Sequence, residues 1–281
     1  MAAVESLITH KRAAPAVSPL EARTPPRRDE LEARYSKAAG DYRHDDEIEV
    51  RTDHHCWIWK TVADLSSSFG REISALDAGC GTGRHFHCLK NVKRLVGLDL
   101  SPEMLRAARA PIRAEWISTK DIELVCGDVR KVTFPLCSFD LIYSVGVFGY
   151  GCELTVEVLN RFYDWLSPDG LLLIDVSDSS GVLWSVRFRA ALRELAYPML
   201  PAVAQKRIDK RRQGIPFSPV SRKELARLLR QSAFPDWELY RRPYHSPCWS
   251  VGKLECIAAR SQLSAELVEA FRVRVSAPAG M

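Results

Sequence analysis

Eight consecutive residues, Leu76-Asp77-Ala78-Gly79-Cys80-Gly81-Thr82-Gly83, constrain this chain more than any other segment. They close an apolar run, Ile73 to Asp77, that reads as a β-strand, and they set three glycines at alternate positions behind a carboxylate. Glycine accepts turn geometries closed to other residues and carries no side chain to hold a ligand away, so such a loop lets backbone approach a bound molecule closely. The spacing alone does not choose the ligand. Dinucleotide-binding proteins use G-x-G-x-x-G to lay a pyrophosphate on a helix N-terminus. Here Arg84 stands where that pattern has its last glycine.

Through the middle of the chain, apolar strand-like runs alternate with helix-like segments, the pattern of a doubly wound α/β fold around a parallel sheet. After Ile73–Asp77 the strands are expected at Arg94–Leu100, Ile122–Cys126, Phe139–Val145 and Leu171–Val176. A helix is expected from about Arg84 to Leu89. Ser101-Pro102-Glu103 signals another: a hydroxyl to cap free amides, a proline where no amide is needed, and an acid at the positive end. Leu154–Leu166 supplies a further helix, stopped by Pro168-Asp169-Gly170, and Ser221-Arg-Lys-Glu224 is a capping box for one ending near Ser232. Trp237–Tyr244 and Val251–Ala259, joined by Ser246-Pro247-Cys248-Trp249, read as an antiparallel hairpin that closes the sheet.

Acids stand at three of the strand ends. Asp99 lies 18 residues beyond Gly81, where a carboxylate can accept both hydroxyls of a ribose. Dinucleotide enzymes share that feature. Gly127-Asp128-Val129 separates them, because it puts a second carboxylate where it can accept from an adenine exocyclic amine. Asp77, Asp99 and Asp128 then form one row of cofactor length.

With these residues, the chain from about Ile73 to Val176 resembles a class I S-adenosylmethionine-dependent methyltransferase. The family's glycine loop is matched by Asp77 to Gly83, its ribose acid by Asp99, its adenine acid by Asp128 and its fourth-strand motif by Phe139-Asp140-Leu141-Ile142-Tyr143-Ser144. Its Pro-Gly turn before strand five appears as Pro168-Asp169-Gly170. The resemblance implies a mostly parallel seven-stranded sheet with a reversed last strand, and S-adenosyl-L-methionine as cofactor. The residues it implies for cofactor binding are Asp77, Gly79, Cys80, Gly81 and Gly83 in the loop, with Asp99, Leu100 and Met104 after strand two. Asp128 and Val129 follow strand three, Ser144 ends strand four, and Tyr42 sits near the cofactor carboxylate, as Tyr35 also can. Cys80 is expected to contribute its backbone alone.

The acceptor side carries a thinner signal. Methyl transfer is an in-line displacement that gains much from holding the nucleophile in a dry pocket, so a dedicated base is optional. The run Arg51-Thr-Asp-His54-His55-Cys-Trp57-Ile-Trp59 offers two imidazoles beside two indoles, and His54 and His55 are the candidate bases. Adjacent helical residues point about 100 degrees apart, so one histidine at most faces a pocket. Trp57, Phe148, Tyr150 and His245 are candidate substrate contacts, with core packing the competing reading for the aromatic residues. The fourth strand continues as Ser144-Val-Gly-Val-Phe148-Gly-Tyr150 and lacks the Asn/Asp-Pro-Pro-aromatic motif of enzymes that methylate nucleobase amines. The paired-glutamate loop of protein arginine methyltransferases is missing too. A small-molecule acceptor is therefore the first expectation.

Net charge is +5, and Arg187 to Arg212 holds eight basic residues against two acidic ones, enough to set the overall sign. That segment is either a solvated helix face or a contact for an anionic acceptor, RNA or acidic protein. No apolar run approaches the roughly 20 residues that span a bilayer, and no secretory leader is visible, so the expectation is a cytoplasmic protein with no membrane partner. The eight cysteines show no CxxC pair and no zinc-finger spacing, and His85-x-His87 diverges on a helix, so no metal is expected. In outline, residues 1–30 are expected as a disordered tail and 31–70 as N-terminal helices over the active site. The methyltransferase core is expected at 71–260, with a basic helical insertion at about 183–215, and 261–281 as a C-terminal tail.

Overall fold

A computed structural model describes residues 28–49, 53–179, 218–242 and 253–276. Two N-terminal helices, α1 (Arg28–Glu49) and α2 (Asp53–Ser67), precede the sheet. Its strands are β1 (Ile73–Ala78), β2 (Val92–Asp99), β3 (Asp121–Cys126), β4 (Phe139–Phe148), β5 (Leu166–Ser177), β6 (Asp236–Arg242) and β7 (Lys253–Ala259). Helix α3 (Pro102–Ala108) joins β2 to β3, α4 (Val156–Trp165) joins β4 to β5, α5 (Arg222–Gln231) leads into β6, and α6 (Ala265–Ser276) follows β7. The basic segment 183–215 and the hairpin loop with His245 lie outside the described residues.

The seven strands form one sheet in the order β3-β2-β1-β4-β5-β7-β6. The first five are parallel, and β7 runs antiparallel to both β5 and β6. Central strands are covered on both faces and so read as continuous apolar runs: in Ile73–Ala78 every residue but Ser74 is buried, and β5 is buried from Gly170 onward. One apolar layer joins α4 and α5 to the sheet through Val158, Leu159, Phe162, Trp165, Leu225 and Leu229. Their spacing places each set on one helical face, and each buried side chain stabilises by about 2 kcal/mol. The other layer packs α2 against the opposite face through Ile58, Val62 and Leu65.

Helix starts fall where the caps put them. Ser101 accepts from Met104 N at 3.2 Å, Thr155 from Val158 N at 3.4 Å and Ser221 from Glu224 N at 3.2 Å. One expected helix does not form: between Gly83 and β2 there is only a 3-10 turn, Phe86–Cys88. The connection must descend the height of an eight-residue strand, roughly 26 Å at about 3.3 Å per residue. Eight helical residues rise only about 12 Å, so the chain runs in a more extended path there. Phe86, His87, Cys88 and Leu89 are all buried along it.

Residues 265–276, expected only as part of a tail, form α6. Phe271 is 1% exposed and packs on Tyr240, ring centroids 5.7 Å apart, and the Tyr240 hydroxyl donates to Val268 O at 3.4 Å. Phe271→Ala should therefore cost about 3–5 kcal/mol in urea unfolding. Leu136→Ala, at a side chain 72% exposed, should stay within about 0.5 kcal/mol.

Candidate functional site

From β1 the chain winds outward to β2 and β3, then returns across the sheet to β4. Connections leave in opposite directions at β1 and β4, and that divergence opens a crevice at the carboxyl ends of the strands. The glycine loop lies at this crevice. Gly79 N and Cys80 N donate to Leu98 O at 2.7 and 2.9 Å, and Gly81 N donates to Asp99 Oδ2 at 2.8 Å. Gly79 has φ +90°, and a Cβ there would sit 2.1 Å from Val147 Cγ2. Gly81 has φ +53° and open space where its Cβ would be, room for a ligand to lie against backbone.

The three strand-end acids differ in state. Asp77 is 1% exposed and its Oδ2 makes no hydrogen bond. Burial pushes its pKa up to about 8, helped by Asp99 and opposed by the Tyr143 hydroxyl and Arg84. Asp99 accepts Ser101 N on Oδ1 at 2.9 Å and Gly81 N on Oδ2, leaving one lone pair on each oxygen. Burial raises its pKa, and those amides hold it down in part. Asp128 is also desolvated, yet Arg130 outweighs burial and keeps it below the usual range. Arg130 donates from Nε to Oδ1 at 2.9 Å and from Nη2 to Oδ2 at 2.8 Å, a bidentate pair that the sequence reading did not foresee. Asp128 Oδ2 keeps one acceptor position beside it.

An ammonium, a ribose diol and an adenine amine are all hydrogen-bond donors, and a row of three carboxylates with spare acceptor capacity suits such a set. Leu100 is half-buried at the end of β2, while Met104 and Val129 are buried, Val129 in the layer that includes Leu98. Ser144 is fully buried and donates to Ala78 O at 2.6 Å, so its hydroxyl ties β4 to β1 beneath the loop. Cys80 is 4% exposed, its thiol turned into the core. Arg84, at the position of the missing glycine, pairs through Nε with Asp46 Oδ1 at 2.9 Å.

Asp46 belongs to α1, which bridges the crevice. It also accepts from the Thr82 hydroxyl, while Ser36 Oγ meets Ser101 Oγ at 3.0 Å and the Tyr35 hydroxyl donates to Tyr150 O at 2.7 Å. Tyr42 is half-buried, 6.4 Å from the Tyr35 ring and under the Arg84 guanidinium. One helix therefore touches the loops after β1, β2 and β4.

The candidate substrate residues divide. Trp57, on α2, donates its indole N–H to Glu255 Oε2 at 2.6 Å. Tyr150 accepts from Ser177 Oγ at 2.9 Å and lies under the Lys253 ammonium, 5.0 Å from its ring centroid. Phe148 is fully buried in the other layer, edge-on to Phe162 at 6.2 Å, so it packs the α4 core and walls no pocket on the Trp57 face. The register of β4, shifted between Ser144 and Phe148, sets Phe148 opposite Val176 of the same layer. His54 and His55 fall on the first turn of α2, with side chains outside the described residues, as is His245. Sequence reasoning missed Asp175, Lys253 and Glu255, all buried. Their signal was charge inside apolar strands, Leu-Ile-Asp175-Val and Lys253-Leu-Glu255-Cys-Ile.

His87 is 4.7 Å from the Trp59 ring and its Nε2 is 3.4 Å from Arg113 Nη1. Burial and Arg113 lower its pKa to about 4, so the imidazole is neutral. Among the described residues no group of three metal-ligating side chains occurs, and no helix is long and apolar enough to cross a membrane. Six described cysteines are free thiols, three of them buried.

Residues 75–170 match the model of a family described as a methyltransferase domain. The chain is 27% identical over 184 residues to a demethylmenaquinone methyltransferase of Lactococcus lactis, covering 63% of this chain and 69% of that protein. It is 28% identical over 142 residues to a malonyl-[acyl-carrier protein] O-methyltransferase of Priestia megaterium, covering 45% of this chain and 49% of that one. Among solved structures it resembles magnesium protoporphyrin IX methyltransferase from Synechocystis with bound SAH. The TM-score is 0.55 at 12% identity, over 82% of this chain and 99% of that one, which is a likeness of fold.

The elevated Asp77 pKa makes stability depend on pH. An acid whose native pKa exceeds its unfolded value, roughly 3.9 for Asp, contributes stability in full below that lower value and loses it as pH rises through the native one. Thermal unfolding from about pH 6 to about pH 9 should show the wild type weakening up to about pH 8 and levelling off above it. Asp77→Asn, uncharged throughout, should stay flatter over the same window, and parallel curves would remove Asp77 as the cause.

Proposed function

We propose that this class I S-adenosylmethionine-dependent methyltransferase hands its methyl group to an oxygen, nitrogen or sulfur nucleophile of a small molecule. The observation that carries the small-molecule reading is the roof over the strand ends. Helix α1 ties down the loops after β1, β2 and β4 through Asp46, Ser36 and Tyr35, and α2 reaches β7 through Trp57. A crevice bridged in this way fits a small acceptor better than a polymer. Two relatives are named for demethylmenaquinone and for malonyl-[acyl-carrier protein], which adds weight to an acceptor of small-molecule chemistry.

S-adenosylmethionine supplies, when bound, an electrophilic methyl on a sulfonium sulfur. In this reading the chain's own groups hold and orient. Gly79 and Gly81 present backbone, and Asp77 accepts from the methionine ammonium. Asp99 takes the ribose hydroxyls on its two spare lone pairs, and Asp128 takes the adenine amine beside Arg130. Leu100, Met104 and Val129 border the base, and Tyr42 with Arg84 closes the methionine end. His54 or His55, two or three residues ahead of Trp57 on α2, serves as base where the acceptor must lose a proton. The competing assignment is an RNA or protein acceptor gripped by Arg187–Arg212.

Calorimetric titration with S-adenosylmethionine tests the cofactor assignment. Asp99→Ala removes the ribose acceptor and frees the amides of Gly81 and Ser101, so affinity should fall by about 100-fold. Gly79→Ala should fall by at least about tenfold, from the strained φ and the contact with Val147. Cys80→Ala should change affinity by less than about threefold, since a buried thiol turned away from the loop contributes packing alone. No binding by the wild type would overturn the assignment. Binding of random RNA that weakens steeply with salt would favour the polymer acceptor, because phosphate contacts release counterions.

A further inference from the structure

S-adenosylmethionine brings a carboxylate as well as hydrogen-bond donors, and the acids Asp77, Asp99 and Asp128 serve only its donors. An anion taken out of water needs a cation or donors beside it. Two guanidinium groups at the crevice are already committed. Arg130 holds Asp128 through two nitrogens, and Arg84 pairs with Asp46.

Helix α1 carries a third. Arg43 Nη1 is buried and makes no hydrogen bond, and among the described residues no carboxylate pairs with this side chain. Its place on the helix says where that nitrogen is buried. Arg43 lies seven residues after Ser36 and three before Asp46, so the three share one face. Ser36 meets Ser101 in the loop after β2, while Asp46 takes the Thr82 hydroxyl and Arg84 of the glycine loop. Ala39, four residues before Arg43 on the same face, is 8% exposed. Arg43 is thus enclosed between α1 and the crevice those loops border. Open space lies there too, since no atom stands within 4 Å of where a Gly81 Cβ would be. A buried charged donor left without an acceptor costs about 1–3 kcal/mol or more, a cost that an incoming carboxylate removes.

We propose that Arg43 binds the carboxylate on the methionine moiety of S-adenosylmethionine, and that this contact clamps α1 over the loaded crevice. This rests on the cofactor assignment above and is independent of the acceptor. A planar guanidinium donates two parallel hydrogen bonds to a carboxylate, which fixes direction as well as charge. One face of α1 is then held to the protein through Asp46 and to the cofactor through Arg43. The contact is one of binding; no proton moves.

Two ligands that differ only in the carboxylate test it: S-adenosylhomocysteine and its decarboxylated analogue, S-adenosyl-3-thiopropylamine, titrated by calorimetry into the full chain. The wild type should bind S-adenosylhomocysteine at least about tenfold more tightly, the worth of one charge-assisted hydrogen bond. Arg43→Met keeps an unbranched stem without the charge. There the preference should shrink to within about twofold, with the analogue bound as in the wild type. Arg43→Lys, a charge without the fork, should fall between the two. Amide exchange in the wild type carries the test if neither variant folds: residues 39–46 should exchange more slowly with S-adenosylhomocysteine bound than with the analogue bound. Equal affinity of the wild type for the two ligands, a preference that survives in Arg43→Met, equal weakening of both ligands by that substitution, or equal exchange under both ligands overturns the Arg43 assignment and leaves the cofactor assignment standing. A wild type that binds neither ligand overturns both.

Discussion

The Asp99 carboxylate ties the glycine loop after β1 to the start of α3. One oxygen takes the amide of Gly81 and so fixes the glycine loop after β1. The other takes the amide of Ser101, whose hydroxyl caps α3 and also meets Ser36 of α1. A buried carboxylate is tolerable only while it is hydrogen-bonded, and the amides it needs are those whose positions define the crevice. The loop, the helix start and the roof are thereby set against a single group that still has two acceptor positions to offer.

Around that hub the carboxylates divide into two electrostatic halves. The first is the row Asp77, Asp99 and Asp128, with states set by surroundings: burial keeps Asp77 protonated near neutral pH, amides support Asp99, and Arg130 stabilises the charge of Asp128. The second is the buried set Asp175, Lys253 and Glu255 across β5 and β7. Tyr150 links the halves, since its carbonyl accepts from Tyr35 on α1 and its ring lies under Lys253.

Much of the fold was legible because its signals are local. Caps at Ser101 and Ser221 act within three residues, and apolar strand runs announce burial on both faces. The hairpin of β6 and β7 followed from two strand-like runs late in the chain, and it pairs with the sheet as expected. The helix after the glycine loop failed because its residues pattern acceptably for a helix, while the height to be covered is a property of the finished sheet. Phe148 misled for a similar reason: an aromatic residue beyond the fourth-strand motif fits a pocket wall or a core, and only the register of β4 chooses.

The sequence by itself determined the cofactor side, since a glycine loop needs its φ angles wherever it folds, and an acid at a strand end lies at the crevice once the sheet is parallel. Only the tertiary structure decided what each acid does and what else surrounds the crevice. Arg84 acquires Asp46 from a helix 38 residues earlier in the chain, and Asp175 acquires Lys253 from a strand 78 residues later. Those partnerships depend on which strands become neighbours and which side chains share a face, and burial then sets their charge, so no reading along the chain could supply them.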